Sequence, residues 1–327
     1  MKAIRNRLAA TLLAAFSATF PAAAEVKITR AAGRVAVEID GRAFTEFFIG
    51  PEAPKPYLHP LRAASGKVVT RAYPMAEVAG ESTDHPHHRG LWFTHGDVNG
   101  VDFWATETPG PKKGRVRLKK INDLKSGRKS GWIDAAFDWA GPGGEALLEE
   151  QRRMTFHAHP TLRIIDLDIT LRAPEKARLG DTKEGVLALR VASGLEEKVA
   201  KSPPNPPRRG RMVSSRSAEG EKQIWGKQAE WVDYSGEVEG EKLGIAILDH
   251  PANPRHPTNW HARGYGLFAA NIFGQREFHH DPSRDGGLAL EPGQTLRFRY
   301  RVVIHPGDSE TAGIERMYKE YAGKPMS

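Results

Sequence analysis

The 327-residue sequence contains no cysteine. Disulfide frameworks, thiolate nucleophiles, Cys-ligated zinc and iron–sulfur clusters are therefore excluded. The sequence also lacks a Gly-rich phosphate loop that opens a helix and a serine on a strand–turn–helix elbow, which argues against nucleotide and serine-hydrolase chemistry. The only long apolar run lies at the extreme N-terminus, so the sequence does not predict a polytopic membrane protein.

The composition is that of a soluble globular protein with scattered basic charge. Hydrophobic residues make up 39% and charged residues 27%, which is enough apolar surface for a core. The formal charge is +8, and its densest basic patch lies in the Pro/Arg-rich segment 202–211. We expect that segment to be a solvated loop at a sheet rim. Nucleic-acid binding would need a broader basic stripe with aromatic platforms, so we expect no nucleic-acid partner.

The N-terminus has the pattern of a secretory signal peptide. Lys2, Arg5 and Arg7 precede the short apolar run Leu8–Phe20, and small residues follow up to Ala24. The apolar run is too short to span a bilayer comfortably. The sequence therefore predicts a signal peptide over 1–24 with cleavage after Ala24, a periplasmic or extracellular location, and no membrane insertion after removal.

The mature chain reads almost entirely as strands and turns. Alternating patterns such as Arg34–Asp40 and Lys67–Tyr73 recur at least a dozen times, with Gly, Pro, Asn or Asp between them. One helix is predicted, at 309–323, close to the C-terminus. Strands without intervening helices cannot form parallel crossovers. We therefore predict an all-β fold: a single large antiparallel β-sandwich domain, a supersandwich, over 25–327.

A first cluster of polar side chains occupies residues 84–97. It holds four histidines, two aspartates and an arginine, and Pro86 and Gly90 predict a loop that leads into a strand. So many polar groups are costly to bury without partners. The functional interpretation is a polar pocket in which histidines are general acid–base groups and Arg89 holds an oxygen-rich ligand. The alternative is a hydrogen-bonded loop whose histidines cap neighbouring backbone.

A second cluster occupies residues 249–265. Asp249 and His250 follow an apolar strand, and three prolines stiffen the loop after them. Asn259, Trp260 and His261 resemble a sugar-binding set, because an aromatic face stacks on a pyranose while amides and imidazoles bind hydroxyl groups. The alternative is that Trp260 fills the end of the sandwich core.

Histidine pairs also allow a metal hypothesis. His85 with His87, His87 with His95, or the group His279–Asp281 could supply imidazoles and a carboxylate to a divalent metal. No HExxH motif or other helical pair is present. Acid–base or hydrogen-bonding histidines are the preferred interpretation, so no cofactor is predicted and a divalent metal stays an alternative.

Several motifs occur in a recognisable order: Tyr57–Leu61, Thr70–Pro74, Asp84–Trp92, Trp231–Gly236, Asp249–Pro251 and Asn259–His261. Together they resemble a family of exported bacterial proteins of unknown function labelled methane-oxygenase-like (PmoA-type), over nearly the whole mature chain. The resemblance implies a β-rich exported protein associated with glycan breakdown. It also implies a fold similar to galactose-mutarotase-like supersandwiches, whose histidine-based pockets work on sugar rings.

The expected function is an enzyme that acts on a sugar or oligosaccharide by histidine-mediated acid–base chemistry, as a hydrolase, lyase or epimerase. His88 and His261 are the expected proton-transfer pair, with His95 and Asp249 tuning or orienting them. The expected substrate-binding residues are Arg89, His87, Asp84, Trp92, Asn259, Trp260 and His250. The alternatives are a non-catalytic glycan-binding module and a metal-dependent lyase or redox protein. All of this requires the two clusters to meet in space.

Overall fold

The computed structural model describes residues 25–198 and 210–323. The predicted signal peptide 1–24 and residues 202–209 of the Pro/Arg-rich loop lie outside the described residues. Within the part that is described, no helix has the length and apolar character needed to cross a membrane.

The described residues form eighteen strands, numbered in chain order: β1 Val26–Ala31, β2 Arg34–Ile39, β3 Arg42–Phe48, β4 Tyr57–His59, β5 Leu91–His95, β6 Arg115–Lys125, β7 Ser130–Ala140, β8 Ala146–His157, β9 Arg163–Arg172, β10 Ala177–Leu179, β11 Gly185–Arg190, β12 Arg211–Ser214, β13 Trp231–Val238, β14 Glu241–Asp249, β15 Asn259–Ala262, β16 Leu267–Asn271, β17 Leu288–Leu290 and β18 Thr295–Pro306.

The strands form two eight-stranded sheets and a small ribbon. The first sheet has the order β1-β2-β3-β4-β5-β11-β16-β15, and the second has the order β12-β13-β14-β18-β9-β8-β7-β6. Strands β10 and β17 pair separately. All the pairings between these strands are antiparallel. The predicted all-β antiparallel sandwich is confirmed.

The core lies between the two sheets because the strands alternate. Along β9, residues alternate between buried and partly buried, so one face of the strand points into the core. Phe93 of the first sheet meets Trp139 and Phe298 of the second, with ring centroids 6.1 and 5.5 Å apart. Aromatic contacts of this kind tie the inner faces together. Each sheet keeps an outer face, and those two faces differ in character.

The helices are short and lie outside the sheets: α1 Glu221–Ile224, α2 Gln275–Phe278, α3 Ser309–Ala312 and α4 Ile314–Ala322, with a 3₁₀ turn at Ser193–Leu195. The predicted helix 309–323 is present but divided, because Gly313 adopts φ +70°, a left-handed conformation that ends α3. The predicted strand Lys67–Tyr73 is wrong: this segment makes only isolated bridges, from Val68 and Thr70.

Candidate active site

A row of side chains crosses the outer face of the first sheet. Trp92 on β5 pairs with Ala188 on β11, Ala188 pairs with Ala269 on β16, and Ala269 pairs with His261 on β15. Directly paired residues point to the same face of a sheet. The register therefore places two small side chains between the large rings of Trp92 and His261.

Above this row lies a cleft of about 490 Å³. Its lining comes from both predicted clusters, from two segments between them and from β16: His85, His87, His88, Gly96, Asp102, Trp104, Ala105, Lys183, Glu184, His261, Arg263, Tyr265 and Leu267. The two clusters therefore meet, with His87 and His88 on one side and His261 on the other.

The loop before β5 is organised around a buried arginine. Arg71 is fully buried, and its guanidinium donates to the backbone carbonyls of Tyr73, Ser82, Asp84 and His85 at 2.8 to 3.2 Å. A guanidinium offers five N–H donors in a fixed plane, which suits the wrapping of a loop. The segment that was predicted as a strand is thus the anchor of the histidine loop.

Two further features fix the loop. The Asp84 carboxylate Oδ1 lies 2.8 Å from Arg71 and 2.9 Å from Arg190, so one acid joins two buried cations. Gly90 adopts φ +51°, and a Cβ there would lie 2.1 Å from the Leu58 carbonyl oxygen. Only glycine therefore fits where the loop enters β5.

The loop delivers its histidines into a stack of rings. His88 stacks on Trp92 with centroids 5.4 Å apart, and His85 stacks on His88 at 4.8 Å and on Tyr265 at 5.4 Å. His87 meets His88 edge-on at 4.5 Å. Each ring is held by its neighbours, so the imidazoles are positioned before a ligand arrives.

His88 is held as a neutral ring with its proton on Nε2. Its Nδ1 lies 3.3 Å from Nη1 of Arg190, and a guanidinium only donates, so Nδ1 must accept. Burial, followed by the charges of His87 and Arg190, lowers the pKa of His88 well below its usual value. His88 is therefore a hydrogen-bond donor at neutral pH.

His261 is held in the opposite tautomer. Its Nδ1 lies 2.9 Å from the Lys183 carbonyl oxygen, which only accepts, so the proton sits on Nδ1. Nε2 is buried and has no partner among the described residues. Burial lowers the pKa of His261 to about 4. His261 is therefore a neutral base whose lone pair is open.

Most charged side chains around the cleft are already paired. Lys183 lies 2.9 Å from Glu184, and Lys113 lies 2.5 Å from Asp102. His87 is also neutral, because burial and then the Lys55 charge lower its pKa to about 3. The histidines are thus the groups of the cleft that can exchange protons without first breaking an ion pair.

Two predicted site residues lie on the wrong face of the sheet. His95 is fully buried against Phe273, with ring centroids 4.4 Å apart, and its Nε2 contacts the Gly180 carbonyl. Trp260 is fully buried in the main core and donates to the Ala229 carbonyl at 2.9 Å. Strand side chains alternate between faces, so Trp92 and His261 lie on the cleft face of the sheet while His95 and Trp260 do not. The expected orienting role of His95 and stacking role of Trp260 are wrong.

Asp249 and His250 belong to a structural network away from the cleft. The Asp249 carboxylate accepts from His256, Asn253 and the Thr258 backbone at 2.7 to 2.9 Å. His250 packs edge-on against Tyr321 at 5.1 Å. The expected catalytic role of Asp249 and substrate contact of His250 are therefore corrected to stabilisation of the 250–258 loop.

The remaining predicted residues support the cleft rather than line it. Asn259 donates to the Gly226 carbonyl and accepts from Gln275. Arg89 bonds Glu107 at 3.0 Å, and its guanidinium lies over the Tyr57 ring. With Asp84 bound to two arginines and the ring face of Trp92 covered by His88, the geometry gives Asp84, Arg89 and Asn259 no direct substrate contact. It leaves Trp92 only its unpartnered indole N–H.

The cleft also contains residues that the sequence did not single out, chiefly Asp102, Trp104, Lys183 and Glu184. They come from loops far apart in the chain, and no motif marks them. Arg263 and Tyr265 also line the cleft, and both lie within the second predicted cluster. Among the described residues, no group of three or more His, Asp or Glu side chains is arranged to hold a metal ion.

Comparison with known proteins identifies the family. The chain belongs to a family of unknown function, DUF6807, whose model matches residues 34–319. No curated protein matches the sequence. The description of this family names no activity. It also does not include the methane-oxygenase-like label.

Several solved structures match most of the chain at low similarity. A galactose mutarotase-like protein from Clostridium acetobutylicum has 11% identity and a TM-score of 0.42, over 86% of this chain and 98% of that one. A galactose mutarotase related enzyme from Lactobacillus acidophilus has 8% identity and a TM-score of 0.33, over 86% of this chain and 97% of that one. An α-galactosidase from Geobacillus stearothermophilus has 11% identity and a TM-score of 0.37, over 86% of this chain.

The chain spans about two fifths of the length of the α-galactosidases it matches. Likenesses at these identities and TM-scores carry no functional weight, so the function is inferred from the residues of the cleft alone.

Proposed function

We propose that this protein is an exported enzyme that acts on a sugar or oligosaccharide, with His261 as the base and His88 as the hydrogen-bond donor. The observation that carries this proposal is the pair of opposite tautomers in one cleft. His88 carries its proton on Nε2, and His261 keeps an open lone pair on Nε2. Two neutral imidazoles of this kind can remove a proton at one atom and stabilise charge at another.

The reaction class follows from what each ring can do. His261 Nε2 takes a proton from a sugar hydroxyl or from a carbon next to a carbonyl group, and becomes imidazolium. His88 donates its Nε2–H to the oxygen on which negative charge develops. In an elimination, the imidazolium then gives the proton to the departing oxygen. In an anomeric epimerisation, it returns the proton to the anomeric oxygen after the ring has opened, the aldehyde has rotated and the ring has closed on its other face, so in both cases the protein ends as it began. Epimerisation and elimination both fit this sequence.

Hydrolysis fits the cleft less well. Glycosidases that use two carboxyl groups need one as acid and the other as base or nucleophile. The two carboxylates that line this cleft, Asp102 and Glu184, are each paired with a lysine. We therefore place epimerase or lyase chemistry ahead of hydrolase chemistry within the proposal.

A sugar panel tests the proposal. The mature chain is incubated in D₂O with neutral and uronic mono- and oligosaccharides. ¹H NMR reports anomeric interconversion, and mass spectrometry reports bond cleavage and deuterium uptake at carbon. We expect turnover of at least one sugar class, which His88→Gln and His261→Gln abolish. His157→Gln is the matched control, since His157 lies on the second sheet beside Asp166. Equal rates in both cleft variants and the wild type would defeat the assignment.

A non-catalytic glycan-binding module is the second candidate. The Trp104 and Tyr265 rings that line the cleft favour it, because aromatic faces bind sugar rings without chemistry. Binding by the panel without turnover, and with unchanged affinity in His261→Gln, would select this candidate.

The export part of the proposal rests on the N-terminal sequence. Expression of the full chain in a Gram-negative host, followed by intact-mass analysis of the periplasmic fraction, tests it. We expect a chain that starts at Glu25. A full-length chain retained in the cytoplasm would contradict it.

A further inference from the structure

The seven tryptophans of the chain fall into two groups by their indole N–H. Four donate to a protein oxygen at 2.7 to 2.9 Å: Trp132 to Asp123, Trp139 to Glu150, Trp231 to Glu315 and Trp260 to the Ala229 carbonyl. In three of these four pairs the acceptor is a carboxylate. The indole N–H groups of these four tryptophans are therefore all satisfied within the protein.

The other three indole N–H groups are buried and have no acceptor among the described residues; they belong to Trp92, Trp104 and Trp225. Trp104 lines the cleft, and the other two contact residues that line it. Trp92 contacts Trp104 with centroids 5.1 Å apart, and Trp225 meets His261 edge-on at 6.4 Å. Trp92 and Trp104 are each only 1% exposed.

Buried donors without acceptors are rare in folded proteins and call for an explanation. An indole N–H can only donate. An acceptor for these three groups would therefore have to be an oxygen atom of a ligand. Hydroxyl groups can accept, but they also donate and need an acceptor in return. A carboxylate only accepts, and its two oxygens have room for several donors at once.

The charges beside Trp92 and Trp104 favour an anion. The ammonium group of Lys55 is fully buried, lies 5.6 Å from the Trp92 ring centroid and donates to the Trp104 carbonyl. Its counter-charge, Glu107, lies 3.7 Å away and is shared with Arg89 at 3.0 Å. Two cations thus share one acid, while the acids that line the cleft are paired with lysines of their own.

We propose that the ligand of this cleft is a sugar acid, whose carboxylate accepts hydrogen bonds from the unpartnered indole N–H groups of Trp104 and Trp92. This inference rests on the proposed function and narrows it to a substrate class. A carboxylate acidifies the hydrogen on the neighbouring carbon, particularly when donors neutralise its charge. That hydrogen is one that the open Nε2 of His261 can take, as the first step of epimerisation or elimination.

NMR of the indole protons tests the proposal without any turnover. The ¹⁵N-labelled mature chain gives seven indole signals, which single Trp→Phe variants assign. Titration with glucuronate and galacturonate is compared with glucose and galactose. We expect an acid of the panel to move the signals of Trp92, Trp104 and Trp225 and to leave the other four in place. Movement of none of the three with any acid, or equal movement with the neutral partner sugar, would overturn the proposal.

Affinity measurements separate N–H donation from ring packing. By calorimetry we expect the acid to bind at least tenfold more tightly than its neutral partner. Trp104→Phe should lower acid affinity about tenfold and leave neutral affinity unchanged, and Trp132→Phe is the matched control on the second sheet. Equal losses for both sugars in Trp104→Phe would contradict the assigned donor.

The two proposals fail separately. An acid preference that persists in His88→Gln and His261→Gln, in a protein without turnover, supports the sugar-acid ligand and defeats the enzyme. Turnover of neutral sugars without any acid preference defeats the sugar-acid ligand and leaves the enzyme.

Discussion

The outer faces of the two sheets are built from similar residues and use them differently. On the second sheet, His305 lies 2.7 Å from Asp233 and also contacts the Pro306 carbonyl, so both ring nitrogens are engaged. On the first sheet, the Nε2 of His261 is buried without a partner. The second face is covered by α4, whose Ile314 packs into the same apolar cluster as Val303.

This difference in hydrogen bonding distinguishes polar groups that stabilise the fold from polar groups that can bind a ligand. A buried polar group left unpaired costs about 1–3 kcal/mol, so a fold keeps such groups only where something else holds them. The tight stack on the first face and the Arg71 anchor hold the open groups in place. The fully bonded ring of His305 stabilises the second sheet, while the open Nε2 of His261 on the first sheet is available to a ligand.

The largest expected effect is on turnover, when one histidine of each outer face is replaced by glutamine. His261→Gln should lower kcat by about 100-fold or more, because general-base catalysis contributes about 10²–10⁴-fold, at little loss of stability. His305→Gln should leave kcat per folded molecule unchanged and reduce stability. Steady-state kinetics and urea unfolding on both variants check this. The contrast fails if His305→Gln is the variant that loses turnover.

Removal of the Asp249 carboxylate should destabilise the protein by about 3 kcal/mol, because a buried charge-assisted network loses its common acceptor. Asp249→Ala is measured by urea unfolding, with activity assayed well below the transition. We expect normal turnover of the folded fraction. Loss of activity without loss of stability would return Asp249 to the catalytic group.

Acid should weaken the first sheet selectively. Burial lowers the pKa values of His59, His95 and His261 to about 4 and that of His87 to about 3. Such groups contribute stability that is fully present above their unfolded pKa of about 6.5 and is lost as pH falls towards the folded values, at up to about 1.4 kcal/mol per pH unit for each histidine.

His305 has the opposite sign. Its hydrogen bond to Asp233 raises its pKa against the effect of burial, so its contribution is present below about pH 6.5 and is lost as pH rises through the folded value. Urea unfolding at about pH 7 and about pH 4.5 measures the net effect. We expect lower stability at the acid pH, and equal stability at both would contradict neutral burial of the four histidines.

The smallest effect is expected at the cover of the second sheet. Asp308 caps α3 in a capping box with Thr311. Asp308→Ala should reduce stability by about 1 kcal/mol, the usual value of such a cap, and leave ligand affinity unchanged. Thermal unfolding and calorimetry check both parts, and altered affinity would show that the two faces are coupled.

The sequence predicts much of the fold and part of the site. Period-2 patterns mark most strands, because one face of each is buried. The pattern wrongly predicts a strand at Lys67–Tyr73, where the buried Arg71 guanidinium instead binds the backbone carbonyl groups of the histidine loop. His87, His88 and His261 are recognisable from local chemical density. Trp104 and Lys183 are not, since only the pairing of β5, β11, β16 and β15 brings their loops together.

The errors have one physical origin. Which face a strand residue occupies depends on register, and a shift of one position reverses it. Trp260 and His261 are neighbours in sequence, yet one fills the core and the other lines the cleft. Asp249 looked catalytic because of its neighbours, but its contacts are all structural.

The tautomers of the histidine rings test the central claim most directly. Long-range ¹H–¹⁵N correlation spectra of the ¹⁵N-labelled protein at neutral pH distinguish protonated from unprotonated ring nitrogens, and His→Gln variants assign the signals. The account predicts neutral rings with the proton on Nε2 in His88 and on Nδ1 in His261. The same tautomer in both rings, or a charged imidazolium in either, would contradict it.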